Sequence, residues 1–366
     1  LKPMAMGGED AWLQPTVKKT AEWGDNGKRI RRSAKSVRIR NKEFYGEPGL
    51  TWTFVKATGR RFGYYPGGLF GIAGPMIFPQ NPQLSHWTLM SALNSELYHS
   101  LFLSQTTSRF WNSGEVASLP WLKELEGNDK LESAAKEQFE IKTQLQFTNP
   151  ASPYYTGSLL NPEISNSEYF YHHPHNYEQA VSINIGNQNP EDSIESLCRR
   201  AEQFKLQKKS NLEELSRKVE RLVYTQVGIS NSTQDEIRQE IHLRTSEDPE
   251  DREVPDPESV PEVPENIDEQ VKDLVHHFAM EAVREAEDGI VPLHDADNQP
   301  NMLDRIVARF EDAYGEHAED RLVEVDDILG AESAAEEAYP NLREFIEDDL
   351  FDYHVSRMEN TPIVWK

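Results

Sequence analysis

Charge is divided unequally along this chain, and the division constrains its folding more than any single motif. Residues 1–122 carry 15 Lys and Arg against 8 Asp and Glu, a balance of +7, whereas residues 123–366 carry 23 against 55, a balance of −32. Acids in such number belong on solvated helix faces. A basic opening third followed by an acidic remainder points to a polyanion as the partner of the first part. A second reading of the acidity is a salt-rich, halophilic cytoplasm, in which the Debye length falls to ~3 Å at molar salt and self-repulsion costs little.

The basic character is concentrated in KRIRRSAKSVRIR, from Lys28 to Arg40, which holds seven positive charges and no negative one. Such a run is either a solvated edge or a set of phosphate contacts, each neutralising part of a nucleic-acid backbone. Aromatics and further arginines in the same third favour phosphate contact.

The single cysteine, Cys198, excludes an internal disulfide framework and any Cys-based zinc grid, so the expected compartment is reducing and cytoplasmic. No apolar run approaches the ~20 residues of a membrane span, so no membrane partner is expected. LKPMAMGGEDAW lacks the charged head and apolar stretch of a signal peptide. Because the first residue is Leu, the numbering is expected to begin inside a longer protein.

Periodicity predicts an α+β protein. In residues 1–122, Leu50–Val55 and Arg61–Tyr65 read as strands, and GGLFGIAGPMIFP as buried strands with tight bends. Trp87–Phe102 places Leu89, Met90, Leu93, Leu97, Tyr98 and Leu101 at the spacing of one helix. RFWNSGEVASLPW reads as a strand, a turn at Ser113-Gly114 and a stop at Pro120. Lys123–Gln146 can be helical, but residues 123–190 as a whole read as an extended crossing segment, punctuated by Pro, Asn and Ser. Residues 191–230 carry two apolar stripes, Ile194/Leu197/Ala201/Phe204 and Leu212/Leu215/Val219/Leu222/Val223, separated by the polar QKKSN, which predicts two spacer helices or one bent helix. Residues 231–265 are assigned to an acidic linker, Pro/Glu/Asp-rich from Ser246 onward. Residues 266–366 form an acidic helical domain with stripes at Val271–Val283, Leu303–Phe310 and Leu342–Phe351.

No constellation for catalysis stands out. His172-His173-Pro174-His175 has no carboxylate or Cys at useful spacing, and Pro174 forbids helical i, i+4 ligation, so it reads as a loop and no metal is assigned. His276-His277 lies on a predicted helix, where packing or pH sensing suffices. Gly67, Gly68, Gly71 and Gly74 match neither GxGxxG nor a P-loop. GxSxG and HExxH do not occur. The catalytic assignment is therefore none.

Several segments, in order, resemble one family. GLTWTFVKATGRRFGYYPGGLFGIAGPMIFPQN (49–81) and TTSRFWNSGEVASLP (106–120) are similar to target-recognition elements of adenine-specific DNA methyltransferases of the phage-exclusion (BREX, PglX-type) and type IIG restriction families. Met4-Ala-Met-Gly-Gly8-Glu9 resembles the "KGGE" of that family, ahead of AEWGDNG. The stretch from Ile194 to Ile229 resembles its spacer helices, and Leu342 to Trp365 its terminal block. The family's Gly-rich S-adenosylmethionine loop and NPP[YF] motif are absent, for Asn149-Pro-Ala-Ser-Pro-Tyr154 separates the amide from its aromatic partner.

The resemblance implies the specificity half of an adenine-N6 DNA methyltransferase: a mixed α/β target-recognition domain, spacer helices and an acidic C-terminal domain. S-adenosylmethionine would belong to a catalytic core on the same or a separate chain. The implied partners are double-stranded DNA, that core and other defence-system subunits. Arg29, Arg31, Arg32, Arg38 and Arg40 are the expected backbone-positioning residues. Arg60, Arg61, Arg109 and Asn112 are the expected readers of bases, since Arg pairs bidentately with guanine and Asn with adenine. The alternative is a non-catalytic, diverged remnant that acts as a protein-interaction subunit of a defence complex.

Overall fold

A computed structural model describes all residues of the chain except 1, 6–10, 16, 18, 34–38, 56–58, 82–83, 107–109, 153, 166–167, 173–177, 183–187, 246–266, 295–298, 331–337 and 359–366. Helices and small sheets make it an α+β protein. It divides into two compact units: residues 1–143, 171–179 and 209–261 in the first, and residues 144–170, 180–208 and 262–366 in the second. The first unit thus takes in the whole basic third, together with later helices.

The first unit opens with β1 (Lys2–Ala5), β2 (Lys19–Ala21) and α1 (Gly24–Ser33), followed by β3 (Gly49–Trp52), β4 (Phe62–Tyr65), β5 (Leu69–Phe70) and β6 (Met76–Ile77). The strands form two three-stranded sheets, ordered β2-β1-β5 and β4-β3-β6. β3 pairs antiparallel with β4, Gly49 opposite Tyr65 and Trp52 opposite Phe62. Leu13 extends this sheet: its N–H donates to the Phe62 carbonyl at 2.9 Å, and its own carbonyl accepts from Tyr64 at 2.9 Å. Only glycine permits that approach, because a Cβ on Gly63 would lie 2.0 Å from the Ala11 carbonyl oxygen.

The helix expected over Trp87–Phe102 is two, α2 (His86–Leu93) and α3 (Glu96–Gln105). Asn94 makes the break. Its Oδ1 accepts from the N–H groups of Arg61 and Phe62, both at 2.9 Å, and its Nδ2 donates to the Phe62 carbonyl at 2.8 Å. These bonds satisfy backbone groups at the start of β4. Ser95 then caps α3. The expected turn at Ser113-Gly114 is a short helix, α4 (Ser113–Ala117), started by a capping box of Asn112 and Glu115. The aromatic core gathers on Trp111: Phe102 stacks on it at 3.5 Å, and the Trp52 indole N–H donates to its carbonyl at 2.9 Å.

α5 (Asp129–Leu145) fills the helical stretch expected there, followed by α6 (Pro162–Ser165) and the paired strands β7 (Glu168–His172) and β8 (Glu178–Ser182). α7 (Ile194–Val227) is one helix of 34 residues, so the polar QKKSN is a solvated stretch within it and not a break. Residues 231–245, assigned from composition to the linker, are instead the helix α8 (Asn231–Thr245), which packs on α3. Its Arg244 donates to the Leu103 carbonyl at 2.9 Å. The Pro/Glu/Asp-rich run from 246 lies outside the described residues.

The second unit is built on α9 (Ile267–Glu285), α10 (Met302–Tyr314) and α11 (Ala318–Leu329), joined by α12 (Pro340–Glu344), a π-helical turn over Phe345–Asp349, and α13 (Leu350–Arg357). The three expected apolar stripes supply the buried Val271, Leu274, Phe278, Ile306, Phe310, Leu342 and Phe345. Asp326 anchors the start of α12, accepting from the Leu342 N–H at 2.8 Å and the Asn341 amide at 3.0 Å.

Candidate nucleic-acid interface

The basic run begins on α1. Asp25, Asn26 and Gly27 have φ of 50°, 53° and 74°, a left-handed turn that only glycine adopts at no steric cost. A Cβ on Gly27 would lie 2.6 Å from the Trp23 ring, so the glycine also lets the backbone close over that indole. Trp23 packs edge-on to Tyr45 at 4.9 Å, and Tyr45 edge-on to Phe70 at 4.9 Å. On this aromatic base α1 exposes Lys28, Arg29, Arg31 and Arg32, and Arg40 and Lys42 are exposed beyond it. Arg29 pairs with Glu22 at 2.6 Å, both side chains well solvated, an ion pair of little energetic weight. Among the described residues, Arg31, Arg32 and Arg40 have no ion pair. Arg38 lies outside the described residues, as does Arg109.

Arg60 and Arg61 are differently placed. The Arg60 side chain is 17% exposed, with its guanidinium 5.2 Å from the Trp12 ring centre and 4.0 Å from Glu220. Arg61 is 1% exposed and lies 3.8 Å from the Trp111 ring centre. Both guanidiniums are set against indoles of the core. Asn112 is exposed at the start of α4, where its backbone N–H and side-chain amide both donate to Glu115, at 3.1 and 3.0 Å. The structure therefore gathers Arg29, Arg31 and Arg32 on one helix but does not join them with Arg60, Arg61 and Asn112 in one cluster.

Beside Arg60 lies a carboxylate pair that the residue pattern did not single out. Both oxygens of Glu220, on α7, accept from the N–H of Glu96 at 3.2 Å, where α3 begins. Glu96 in turn accepts from the Tyr224 hydroxyl and from Arg238 on α8, each at 3.0 Å. Burial first, and the Glu96 charge second, push the Glu220 carboxyl up to about 8, against the pull of Arg60. A signal was present in the sequence: Ser216, Glu220 and Tyr224 repeat at i, i+4 within the apolar face of α7.

In the second unit, His276 and His277 are core residues. His276 Nε2 is 2.9 Å from His354 Nδ1, and His277 Nδ1 is 3.1 Å from the Tyr155 hydroxyl. Desolvation holds them down to about 3 and about 4, so both are neutral at pH 7. Gly157 (φ 143°) permits this packing, since a Cβ there would lie 2.5 Å from the His277 ring.

Among the described residues, no group of three or more His, Cys, Asp and Glu is arranged to hold a metal ion. His172 is the last residue of β7, and His173, Pro174 and His175 lie outside the described residues. At Gly68 the space of a Cβ is taken by the protein itself, 2.0 Å from the Tyr65 hydroxyl and 2.9 Å from the Pro3 carbonyl oxygen. No described helix is long and apolar enough to cross a membrane.

The fold thus sets solvated arginines beside an aromatic cluster. Comparison with known proteins adds a likeness. Over 198 residues, half of the chain, it is 29% identical to the adenine-specific methyltransferase BrxX of Escherichia coli O9:H4 (strain HS), of which the match covers 16%. The similarity supports a relationship to the BREX-type adenine methyltransferases, and the chain spans only a small part of the length of that relative. No protein-family profile matches the chain.

Proposed function

We propose that the chain is the DNA-recognition and scaffold part of an adenine-N6 DNA methyltransferase of a phage-defence or restriction–modification system. The observation that carries the reading is the exposed cationic helix α1, in a chain related over half its length to an adenine-specific methyltransferase. Arg29, Arg31, Arg32 and Arg40, with Arg38, would contact backbone phosphates and fix register. Asn112 and Arg109 would reach base edges. Arg60 and Arg61, enclosed beside Trp12 and Trp111, would serve base choice by fixing the shape of the strands next to them. The catalytic core and its S-adenosylmethionine would be supplied by another part of the protein or by a separate chain.

Salt-dependent mobility shift tests this. The slope of log K against log [salt] changes by ~0.9 for each phosphate contact. The Arg31→Ala/Arg32→Ala double variant is expected to bind duplex DNA more weakly and to flatten that slope by roughly 2. An unchanged slope would reject α1 as the phosphate-binding element.

A second reading, a protein-interaction subunit, is favoured by the exposed Ile290, Leu293 and Phe351 of the second unit. The His294–Glu347 contact at 3.4 Å brings the loop bearing Ile290 and Leu293 to the π-helical turn before Phe351. Retention of defence-complex subunits after nuclease treatment, lost in Phe351→Ser, would separate this reading from the first.

A further inference from the structure

Ile72 is 98% exposed, more than any other large hydrophobic side chain among the described residues. A lone surface isoleucine needs no explanation, but this one stands at an unusual place. It occupies the tip of a turn held by the Gly74 N–H donating to the Gly71 carbonyl at 3.1 Å. The Gly71 N–H donates to the Ala5 carbonyl at 3.3 Å, and Gly74 and Pro75 behind the tip are buried, so the turn is anchored on both sides. From Phe62 to Ser95 the chain has no Lys, Arg, Asp or Glu, so the turn itself carries no charge to repel a phosphate.

The turn shares its foundation with the cationic helix. Phe70, two residues before Ile72, packs on Tyr45, and Tyr45 packs on Trp23, the residue that leads into α1. One run of rings therefore supports both the solvated arginines and the apolar tip.

We propose that Ile72 is a wedge that enters a groove of duplex DNA and leans on a base step while the cations of α1 hold the phosphates. This rests on the DNA-binding reading above and adds to it the residue that deforms the duplex. Apolar wedges of this kind partly unstack a step and kink the helix, at sites where backbone contacts hold the DNA against the protein. The β-branched side chain is stiff at χ1 and loses little rotamer freedom on insertion. Gly71 and Ala73, small residues on either side of it, leave room for close approach at the tip.

The test uses the full 366-residue chain and an end-labelled duplex of random sequence, roughly 30 base pairs long, with energy transfer between the ends reporting bend and a titration reporting affinity. The wild type is expected to bring the ends closer. Ile72→Ala should lose that signal and about tenfold in affinity, with the salt slope and unfolding temperature unchanged. Ile72→Leu should keep both signals. An Ile72→Ala variant that bends and binds DNA like the wild type would overturn the wedge, as would wild-type binding with no bend, and in both cases the DNA-binding reading stands. A loss confined to self-association in sedimentation would also overturn it, in favour of a protein contact. Failure of the wild type to bind the duplex at all would overturn the DNA-binding reading and the wedge together.

Discussion

Glu220 lies on α7 with almost no water around it, and its carboxyl is pushed up to about 8. The folded state therefore holds a proton that the unfolded chain releases from about pH 4.5 upward. The stability tied to this group is fully present below pH 4.5 and is lost as pH rises through 8. Glu220→Gln keeps an acceptor for the Glu96 N–H and removes the buried charge. Its urea midpoint should match the wild type near pH 5 and exceed it at pH 9, and equal midpoints at pH 9 would show that Arg60 already compensates the carboxylate. Arg61 presents the opposite case of a buried cation. Arg61→Ala removes a guanidinium packed on Trp111 and leaves a void in the aromatic core, with an expected cost of roughly 3 kcal/mol, readable in the same denaturation experiment.

Elements in the first unit end where a side chain is needed by a neighbour. By apolar spacing alone, α2 and α3 should be one helix, yet Asn94 is spent on β4 and Ser95 on a cap. Asn94→Leu completes the apolar stripe and would still cost roughly 2–4 kcal/mol, because the buried N–H groups of Arg61 and Phe62 lose their acceptor. A stability equal to wild type would show that the stripe, and not the amide, governs this corner. β3 to β6 and the three C-terminal helical stripes were legible from period and composition, since burial imposes the same pattern wherever it occurs, whereas β1, β2, β7 and β8 were not read as strands. α8 was not, because its sequence is polar on most faces and its place depends on α3, a partner distant in the chain. The capping box at Asn112 was readable as N-S-G-E and passed as a turn, because four residues fit a tight turn as well as a first helical turn.

At the scale of the molecule, the buried Glu220 of the first unit and the buried histidines of the second titrate in opposite senses. His276 and His277 have folded values of about 3 and about 4, below the ordinary 6.5. Their contribution is complete above pH 6.5 and is lost as pH falls toward those values, while that of Glu220 is lost as pH rises. Hydrogen exchange should find the second unit opening first near pH 4.5 and the first unit opening first near pH 9; the reverse order would place the sensitivity elsewhere. A net charge of −25 adds self-repulsion, which salt screens within ~3 Å at 1 M. The unfolding temperature is therefore expected to climb between dilute buffer and molar NaCl.

The sequence by itself determined the α+β class, the separation of basic from acidic regions, the helical stripes of the second unit and the cationic run, all properties of local order and pattern. The tertiary structure alone decided which cations face water. Arg31 and Arg32 stand on a solvated helix, while Arg60 and Arg61 are drawn against Trp12 and Trp111 by contacts from distant parts of the chain. It likewise made a buried acid of Glu220 and an exposed tip of Ile72. The exposure of a side chain depends on the elements folded over it, and no pattern along the chain records that.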